Sequence, residues 1–208
     1  MKKGLSQLGI RKNLRYECII TTKSRDGTNN AAPFGITYLG DGKVQCHVRE
    51  GSKTLENIMD TKEYMCNITQ DSLTFTYAAL NCLDDEYYCN DTPLPTIKNT
   101  LAYIIVDVCD VEIKAPENFP NEGDDDIYFI TGKIRDFAIN DESGRAFNRG
   151  LDGLIESLTN FSRYKIVDDD KRNEYLNRLY ENQRIINEVS DEKTRKVMEN
   201  LKREYEKN

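Results

Sequence analysis

The chain has 208 residues, of which 38% are hydrophobic and 31% charged, and this suits one globular domain with or without an appendage. Its formal charge of −7 argues against general affinity for nucleic acid or anionic membrane surfaces, and no apolar run approaches membrane-spanning length. The first residues are not followed by a signal-peptide core, so we expect a cytoplasmic protein with no nucleic-acid or membrane partner.

The six cysteines contain no C-x-x-C pair, and most of them lie in apolar, strand-like runs. We therefore expect reduced, buried thiols rather than a disulfide framework or a zinc site, and we predict no metal centre. His47 is the only histidine, which argues against a histidine-based metal cluster or a Ser-His-Asp triad. We expect His47 to be a strand residue, and the sequence identifies no catalytic residue.

Three antiparallel strands are predicted for the first part of the chain. The segment Tyr16–Thr22 is rich in β-branched and aromatic residues and is followed by turn residues at 24–29. A second strand is predicted over Asn30–Leu39 and a third over Val44–Val48. The intervening Gly40–Lys43 has the composition of a tight hairpin turn.

The stretch Arg49–Thr54, "REGSKT", precedes an amphipathic helix predicted over Ser52–Asp60. A glycine that can adopt positive φ, two hydroxyls and two cations at a helix start suit a bound phosphate. The alternative is that Ser52 merely caps the helix while the two cations are solvated, and for an isolated stretch of this kind that alternative is the commoner outcome.

The hairpin places this stretch beside the start of the second strand. With the turn centred near Asp41, antiparallel pairing puts Phe34 opposite Val48 and Asn30 opposite Ser52. Both segments therefore lie at the same end of the sheet.

The start of the second strand suits a flat ligand. Ala31 and Ala32 are small enough for a planar ring to lie against the backbone, and Pro33 cannot continue a hydrogen-bonded ladder. A ligand with a planar head and a phosphate tail would lie between the two segments. The alternative is an edge-strand irregularity with no ligand.

The middle of the chain predicts one short strand, one short helix and two long strands. In the strand Tyr64–Ile68, Asn67 either contacts a ligand or begins the following turn, and both remain open. A short helix is predicted within Ser72–Leu83, and long strands over Leu101–Ile113 and Ile127–Ile139. The first long strand is apolar on both faces, so we expect a barrel packed by a helix or a partner subunit to cover it. Two acidic connections lie at 84–96 and 117–126, the second with Asp124–Asp126 as a solvated loop.

Apolar residues at helical spacing predict a helix over 147–163. Asn148 and Arg149 lie at its start, where the helix dipole disfavours a cation. Arg149 is therefore expected to have an anionic partner, either a phosphate or, more simply, Asp152 or Glu156.

Beyond residue 165 the composition changes to charged helix formers, and residues 165–208 carry 11 basic and 11 acidic side chains. Two amphipathic helices joined near Val189, with Ser190 as an N-cap, predict a helical hairpin packed on the barrel or on a partner. We expect a barrel domain at 1–165 and this helical segment at 166–208.

In their order, "NAAPFGI", a tight hairpin, "REGSKTLENI" and "YMCNI" resemble the FMN-binding split-barrel superfamily, which is related to flavin reductases. More narrowly, the chain resembles a largely archaeal family of uncharacterised proteins, domain-of-unknown-function family 447, in which "NRG" and a helix ending near "SRYKI" also recur. The resemblance covers roughly residues 14–165. It implies a mainly β fold with α-helices, a six-stranded antiparallel Greek-key split barrel that forms a homodimer with FMN near the interface.

The resemblance also implies which residues bind FMN. Those expected along the flavin ring are Asn30, Ala31, Ala32, Pro33, Phe34 and Gly35. Those expected beside the ring and ribityl chain are Val48 and Arg49, and those expected at the phosphate are Gly51, Ser52, Lys53 and Thr54, with Asn67 nearby. Asn148 and Arg149 match a later motif of less defined role. We expect an FMN-dependent oxidoreductase of unknown substrate that exchanges electrons with a small molecule, the alternative being a non-catalytic flavin-binding or interaction module.

Overall fold

A computed structural model describes residues 4–89, 92–118 and 125–207, so the predicted acidic loop at Asp124–Asp126 begins outside the described residues. The chain forms two compact units, residues 1–147 and residues 148–208. The helix after Phe147 belongs to the second unit. The boundary expected at residue 165, between the barrel domain and the helical segment, stays a prediction.

Strands dominate the first unit. Its strands are β1 (Arg15–Lys23), β2 (Asn29–Gly40), β3 (Lys43–Arg49), β4 (Glu63–Ile68), β5 (Tyr88–Cys89), β6 (Thr96–Ile97), β7 (Ala102–Lys114) and β8 (Ile127–Ile139). Its helices are α1 (Lys53–Thr61) and α2 (Ser72–Ala79), with 3₁₀ turns at Leu5–Leu8, Asp85–Tyr87 and Pro116–Asn118. The second unit contains α3 (Gly150–Phe161), α4 (Asp169–Val189) and α5 (Glu192–Glu206).

Six of these strands close into an antiparallel barrel in the order β1-β2-β3-β8-β7-β4, with β4 pairing back onto β1. Strands β1, β2 and β3 are joined by hairpins, and β4 returns beside β1, which is the Greek-key arrangement. The predicted six-stranded Greek-key barrel with added helices is therefore confirmed.

Alternate side chains of each strand fill the barrel. The inward-facing residues include Tyr16, Cys18, Ile20, Ile36, Val44, Cys46, Val48, Tyr64, Cys66, Ile104, Val106 and Ile130. Helix α1 packs against this core through Leu55 and Ile58, which are 6% and 0% exposed. Its position relative to β2 is therefore set by core packing as well as by the chain connection.

The chain before β1, which the sequence left without an assignment, is part of the core. Leu8 and Ile10 are buried in the barrel cluster. The Tyr16 hydroxyl donates to the Gly9 carbonyl (2.9 Å) and accepts from the Arg11 amide (3.0 Å). These bonds hold the segment across the barrel.

The outer face of β7 is also covered, as its two apolar faces predicted. Met65, Leu94 and Ile105 form a small buried cluster outside the barrel. The cover comes from the segment before β6 rather than from a helix.

In the second unit, the three helices share their own core. This core contains Leu154, Tyr164, Tyr175, Leu179, Ile186, Met198, Leu201 and Tyr205. Two helices lie in the C-terminal part, as expected from its composition, but the N-cap of α5 is Asp191, whose carboxylate accepts from the Thr194 amide at 2.9 Å. Ser190 instead ends α4.

The cysteines are free thiols, and Cys18, Cys46 and Cys66 are buried in the barrel as expected. Cys82 and Cys109 are exposed, because they lie after the end of α2 and on the outward-facing part of β7. Among the described residues, no helix has the length and apolar character needed to cross a membrane.

A close approach of β7 to β8 depends on Gly132. A Cβ at this position would overlap Val106 Cγ1 and would lie 2.9 Å from the Asp107 carbonyl oxygen. We expect Gly132→Ala to lower the free energy of unfolding by about 1–3 kcal/mol, as overpacking does. Urea unfolding measures this effect. Gly4→Ala is the control, because the nearest atom to its Cβ would be 3.7 Å away; equal losses for the two variants would contradict the prediction.

Candidate functional site

The β2–β3 hairpin brings two of the predicted motifs into contact. The ladder pairs Ile36 with Cys46, the register expected from the sequence. The Asn30 side-chain amide then donates to the Thr54 hydroxyl at 3.0 Å. The start of β2 and the start of α1 are therefore neighbours, as the hairpin predicted.

The turn before α1 is a capped helix start that follows a glycine of positive φ. Gly51 has a φ of 73°, and Ser52 is the N-cap. The Ser52 hydroxyl accepts from the Leu55 amide (3.2 Å) and its carbonyl from the Glu56 amide (3.1 Å). The cap accounts for the Leu55 amide and the first helical bond for the Glu56 amide, so the donors that a phosphate would take are the amides of Lys53 and Thr54.

A buried polar network supports this turn, and it includes two residues that sequence reasoning missed. Asn30 Nδ2 also donates to Thr22 Oγ1 (3.2 Å), and Asn57 Nδ2 donates to the same oxygen (3.0 Å). Thr22, Thr54 and Asn57 are at most 2% exposed. Asn57 lies between Leu55 and Ile58 on the core side of α1, and an amide at such a position was the available signal.

Charges around the turn are mixed. Lys53 Nζ lies 3.1 Å from Glu56 Oε2, and both side chains are exposed. Such surface pairs contribute little to stability, so this ammonium group can be redirected to an anion. Hydrogen bonds from Ser24 and Thr28, with a smaller contribution from Lys53, lower the pKa of Asp26 to about 2. A carboxylate therefore also lies near Lys53.

The β2–β3 ladder stops before the ends of the two strands. The β2–β3 ladder ends at Ile36↔Cys46, whereas β3 remains paired to β8 as far as Arg49↔Ile127. Pro33 has no N–H to donate, which is one reason why β2 does not continue the ladder. We call the facing segments 33–35 of β2 and 47–49 of β3 the split.

The predicted ring-binding residues differ in accessibility. Ala31 is 5% exposed and packs with Ala78, Tyr88 and Ile97 beneath α2, so a ligand would meet it only through its backbone. Residues 32–34 are half-buried. Asn30 is also half-buried, whereas Gly35 is buried, so within the split Pro33 and Phe34 are the accessible residues of this stretch.

Asn67 serves as a connection between strands. Its amide nitrogen donates to the Ile19 carbonyl (3.2 Å) and the Thr21 hydroxyl (2.9 Å), and its oxygen accepts from the Ile97 amide (3.0 Å). The turn after β4 instead uses Asp71, which caps α2. A ligand contact by Asn67, which stays a prediction, would have to replace or share one of these bonds.

Arg15 and Gly35 meet at the outer side of the split. A Cβ on Gly35 would overlap the Nε atom of Arg15, so the absence of a side chain at this position lets the Arg15 side chain lie across β2. Arg49, at the end of β3, is exposed.

His47 lies on the outer face of β3. Its ring packs on Phe129 with centroids 3.8 Å apart. Gln45 Nε2 donates to Thr131 Oγ1 (3.0 Å), so its Oε1, 3.3 Å from His47 Nε2, is the acceptor for that ring nitrogen. Burial, and then the charges of Arg15 and Lys114, lower the pKa of His47 to about 4. The imidazole is therefore neutral at pH 7.

Asn148 and Arg149 belong to the second unit. Asn148 donates to the Val189 carbonyl (2.7 Å) and accepts from the Gly150 amide (3.1 Å), which fixes the start of α3. A hydrogen bond from Arg184 is the main cause of a lowered Glu181 pKa, and the charge of Arg149 contributes to it. A role for Asn148 and Arg149 in binding FMN stays a prediction.

The pKa of His47 leads to a pH-dependent stability. The unfolded chain binds a proton near pH 6.5, whereas folded His47 binds it near pH 4. The stability that depends on neutral His47 is present above pH 6.5 and is lost as the pH falls to about 4. The free energy of unfolding falls by at most about 1.4 kcal/mol per pH unit over this range, and by less here because solvent screens a half-buried ring.

Urea unfolding of the wild type and of His47→Gln at several pH values between 4 and 7 isolates this effect from the carboxylates. We expect the difference in stability between the two proteins to change over this range. A constant difference would contradict the assigned environment of His47.

Comparison with known proteins identifies the family. Residues 16–141 match a family described as the N-terminal domain of a protein of unknown function, DUF447. An uncharacterized protein of Methanocaldococcus jannaschii is 28% identical over 189 residues, which are 88% of this chain and 94% of that protein.

Two solved structures have similar folds. An FMN-bound DUF447 protein of Methanosarcina mazei has a TM-score of 0.52 at 19% identity, over 96% of this chain and 99% of that one. Component B of nitrilotriacetate monooxygenase from Bacillus cereus has a TM-score of 0.50 at 17% identity, over 66% and 77%. The family match spans more than half of the chain, so this protein belongs to the DUF447 family, as its motifs suggested.

Proposed function

We propose that the first unit binds FMN, with the phosphate at the start of α1 and the ring at the split, and that the protein is a flavin-dependent oxidoreductase. The observation that carries this proposal is the hydrogen bond between Asn30 and Thr54, which joins the two segments that a molecule with a planar head and a phosphate tail requires. The FMN bound by the similar Methanosarcina mazei protein supports the choice of ligand.

The start of α1 suits a phosphate group. The amides of Lys53 and Thr54 lie at the positive end of the helix dipole, and the hydroxyls of both Ser52 and Thr54 retain a proton that can be donated. Lys53 supplies a charge once it leaves Glu56. Gly51 lets the backbone approach closely, and Arg49 adds a second cation.

The split suits the ring. Along residues 33–35, the edge of β2 that faces β3 is outside the β2–β3 ladder. Backbone groups at such an edge can pair with the polar rim of a flavin, and the half-buried Ala32 and Phe34, the latter also packed against the barrel core, would offer it apolar contacts. Residues 33–35 remain paired with β1, and residues 47–49 remain paired with β8.

Bound FMN supplies the hydride or electron chemistry, while the chain holds the ring, adjusts its electronic environment and limits access. This division of tasks fits a site in which no acid–base pair is evident. Within the proposal, the electron partner is a small molecule that visits the ring transiently, and a second copy of the chain completes the site near a dimer interface. The substrate is left open.

Absorbance of the purified protein, with FMN titration of any colourless fraction, tests the ligand. We expect a flavin spectrum or saturable binding; a protein that remains unchanged by FMN would overturn the proposal. Anaerobic mixing with reduced nicotinamides and a reduced deazaflavin then tests the activity. We expect bleaching with at least one of them, whereas bound FMN that none of them bleaches would favour a non-catalytic flavin-binding module.

Replacing Ser52 and Thr54 by alanine should weaken FMN binding by a few kcal/mol, because hydrogen bonds to a charged group contribute about 1.5–3 kcal/mol each. Isothermal titration measures the affinity. Urea unfolding of the apo variants shows how much stability is lost with the Ser52 cap.

Thr76→Ala is the matched control, because this hydroxyl donates to the Ser72 carbonyl on the exposed side of α2. We expect its FMN affinity to equal that of the wild type. Full affinity in the Ser52/Thr54 variant would place the phosphate elsewhere.

A further inference from the structure

We propose that Arg15, held across Gly35 at the outer side of the split, raises the reduction potential of bound FMN by stabilising the negative charge that the ring gains on reduction. This inference rests on the proposed function and adds a residue from β1 to the site. Neither the phosphate turn nor the "NAAPFG" stretch contains it.

The first step is the placement of the guanidinium group. Arg15 pairs with Thr37 in the β1–β2 ladder, two residues from the Glu17↔Gly35 pair. Its side chain extends along β2 toward the split, and its Nε atom occupies the space that a Cβ on Gly35 would need. Gly35 does not have a positive φ, so other residues could adopt its backbone conformation. Glycine is required here because the Arg15 side chain occupies the space that a Cβ would need.

The second step is the position of Gly35. The last pair of the β2–β3 ladder is Ile36↔Cys46, and extending its register by one residue would place Gly35 opposite His47, across the split. The positive charge of Arg15 contributes to the lowered pKa of His47. The charge of Arg15 therefore acts on a residue of β3, on the other side of the split where the ring is proposed to lie.

The third step is the balance of charge on this outer face. His47 is neutral at pH 7. Lys114 Nζ lies 3.7 Å from Glu112 Oε2 and over the Phe129 ring. Glu17 is the acidic residue paired with Gly35. Besides Arg49, which lies in the split at the end of β3, Arg15 and Glu17 are charged residues of β1 beside Gly35, and they should shift the potential in opposite directions.

The reaction affected is the two-electron reduction of FMN. At neutral pH the ring takes up two electrons and one proton from a reductant, a reduced nicotinamide or in the test a dithionite-reduced mediator dye, and so gains one negative charge. A fixed cation favours the reduced form and a fixed anion the oxidised form. Arg15 would thereby make the bound flavin easier to reduce.

The test is a spectroelectrochemical titration of FMN bound to the full-length wild type and variants. For Arg15→Gln we expect the ratio of reduced-form to oxidised-form affinity to fall about tenfold, which lowers a two-electron potential by about 30 mV. Glu17→Gln should raise the potential. Gly35→Ala, which keeps Arg15 but displaces it, should lower the potential as Arg15→Gln does.

Arg25→Gln is the control, because Arg25 is an exposed arginine whose guanidinium lies 3.4 Å from Asp60 on the surface. Its potential should equal that of the wild type. An equal shift in Arg25→Gln and Arg15→Gln would reduce the effect to net charge and overturn the proposal.

A second measurement needs no flavin. NMR titration of the single histidine in the apoprotein should give a higher pKa in Arg15→Gln than in the wild type, and an unchanged pKa would show that Arg15 is not at the split. A changed pKa with an unchanged FMN potential would overturn this inference while FMN binding stands. If the wild type binds no FMN, both the proposed function and this inference fail.

Discussion

Helix α1 and the turn before it have to satisfy two structural requirements at once. Leu55 and Ile58 have to pack against the barrel core, while the preceding turn has to present its amides to the surface. The buried contacts between Asn30, Thr22, Thr54 and Asn57 reconcile these requirements, because they fix how far the helix start lies from β2. The proposed phosphate site is therefore supported by side chains of the first unit's core, and such support is the usual condition for selective binding.

Local patterns predicted the elements that depend on neighbouring residues. The β2–β3 register follows from a tight turn and alternating apolar residues, and the start of α1 follows from Gly51 and Ser52. Contacts between distant segments were not predictable in this way. The three hydrogen bonds of Asn67 reach residues 30 to 48 positions away, and periodicity carries no information about them. Leu8 was missed because a single turn has no pattern long enough to recognise.

Two glycines of the candidate site show the same limit of prediction from sequence. Gly51 could be understood from sequence because a positive φ before a helix is a local property. Gly35 has ordinary backbone angles, and the reason for it lies on another strand, in the side chain of Arg15. Such a requirement becomes visible only when β1 is paired with β2. The acidic overall charge likewise concealed a cation placed beside the split.

The early end of the β2–β3 ladder also has a dynamic consequence. Residues 33–35 are not tied to β3 by the ladder, yet β1 and β8 hold the flanking strands. Separating residues 33–35 from β3 would therefore break fewer ladder contacts than opening the rest of the β2–β3 pair, and local opening costs less than global unfolding. A ligand bound there would enter and leave when residues 33–35 separate from β3. Its residence time would then depend on this local opening, whereas the lifetime of the folded barrel would depend on global unfolding.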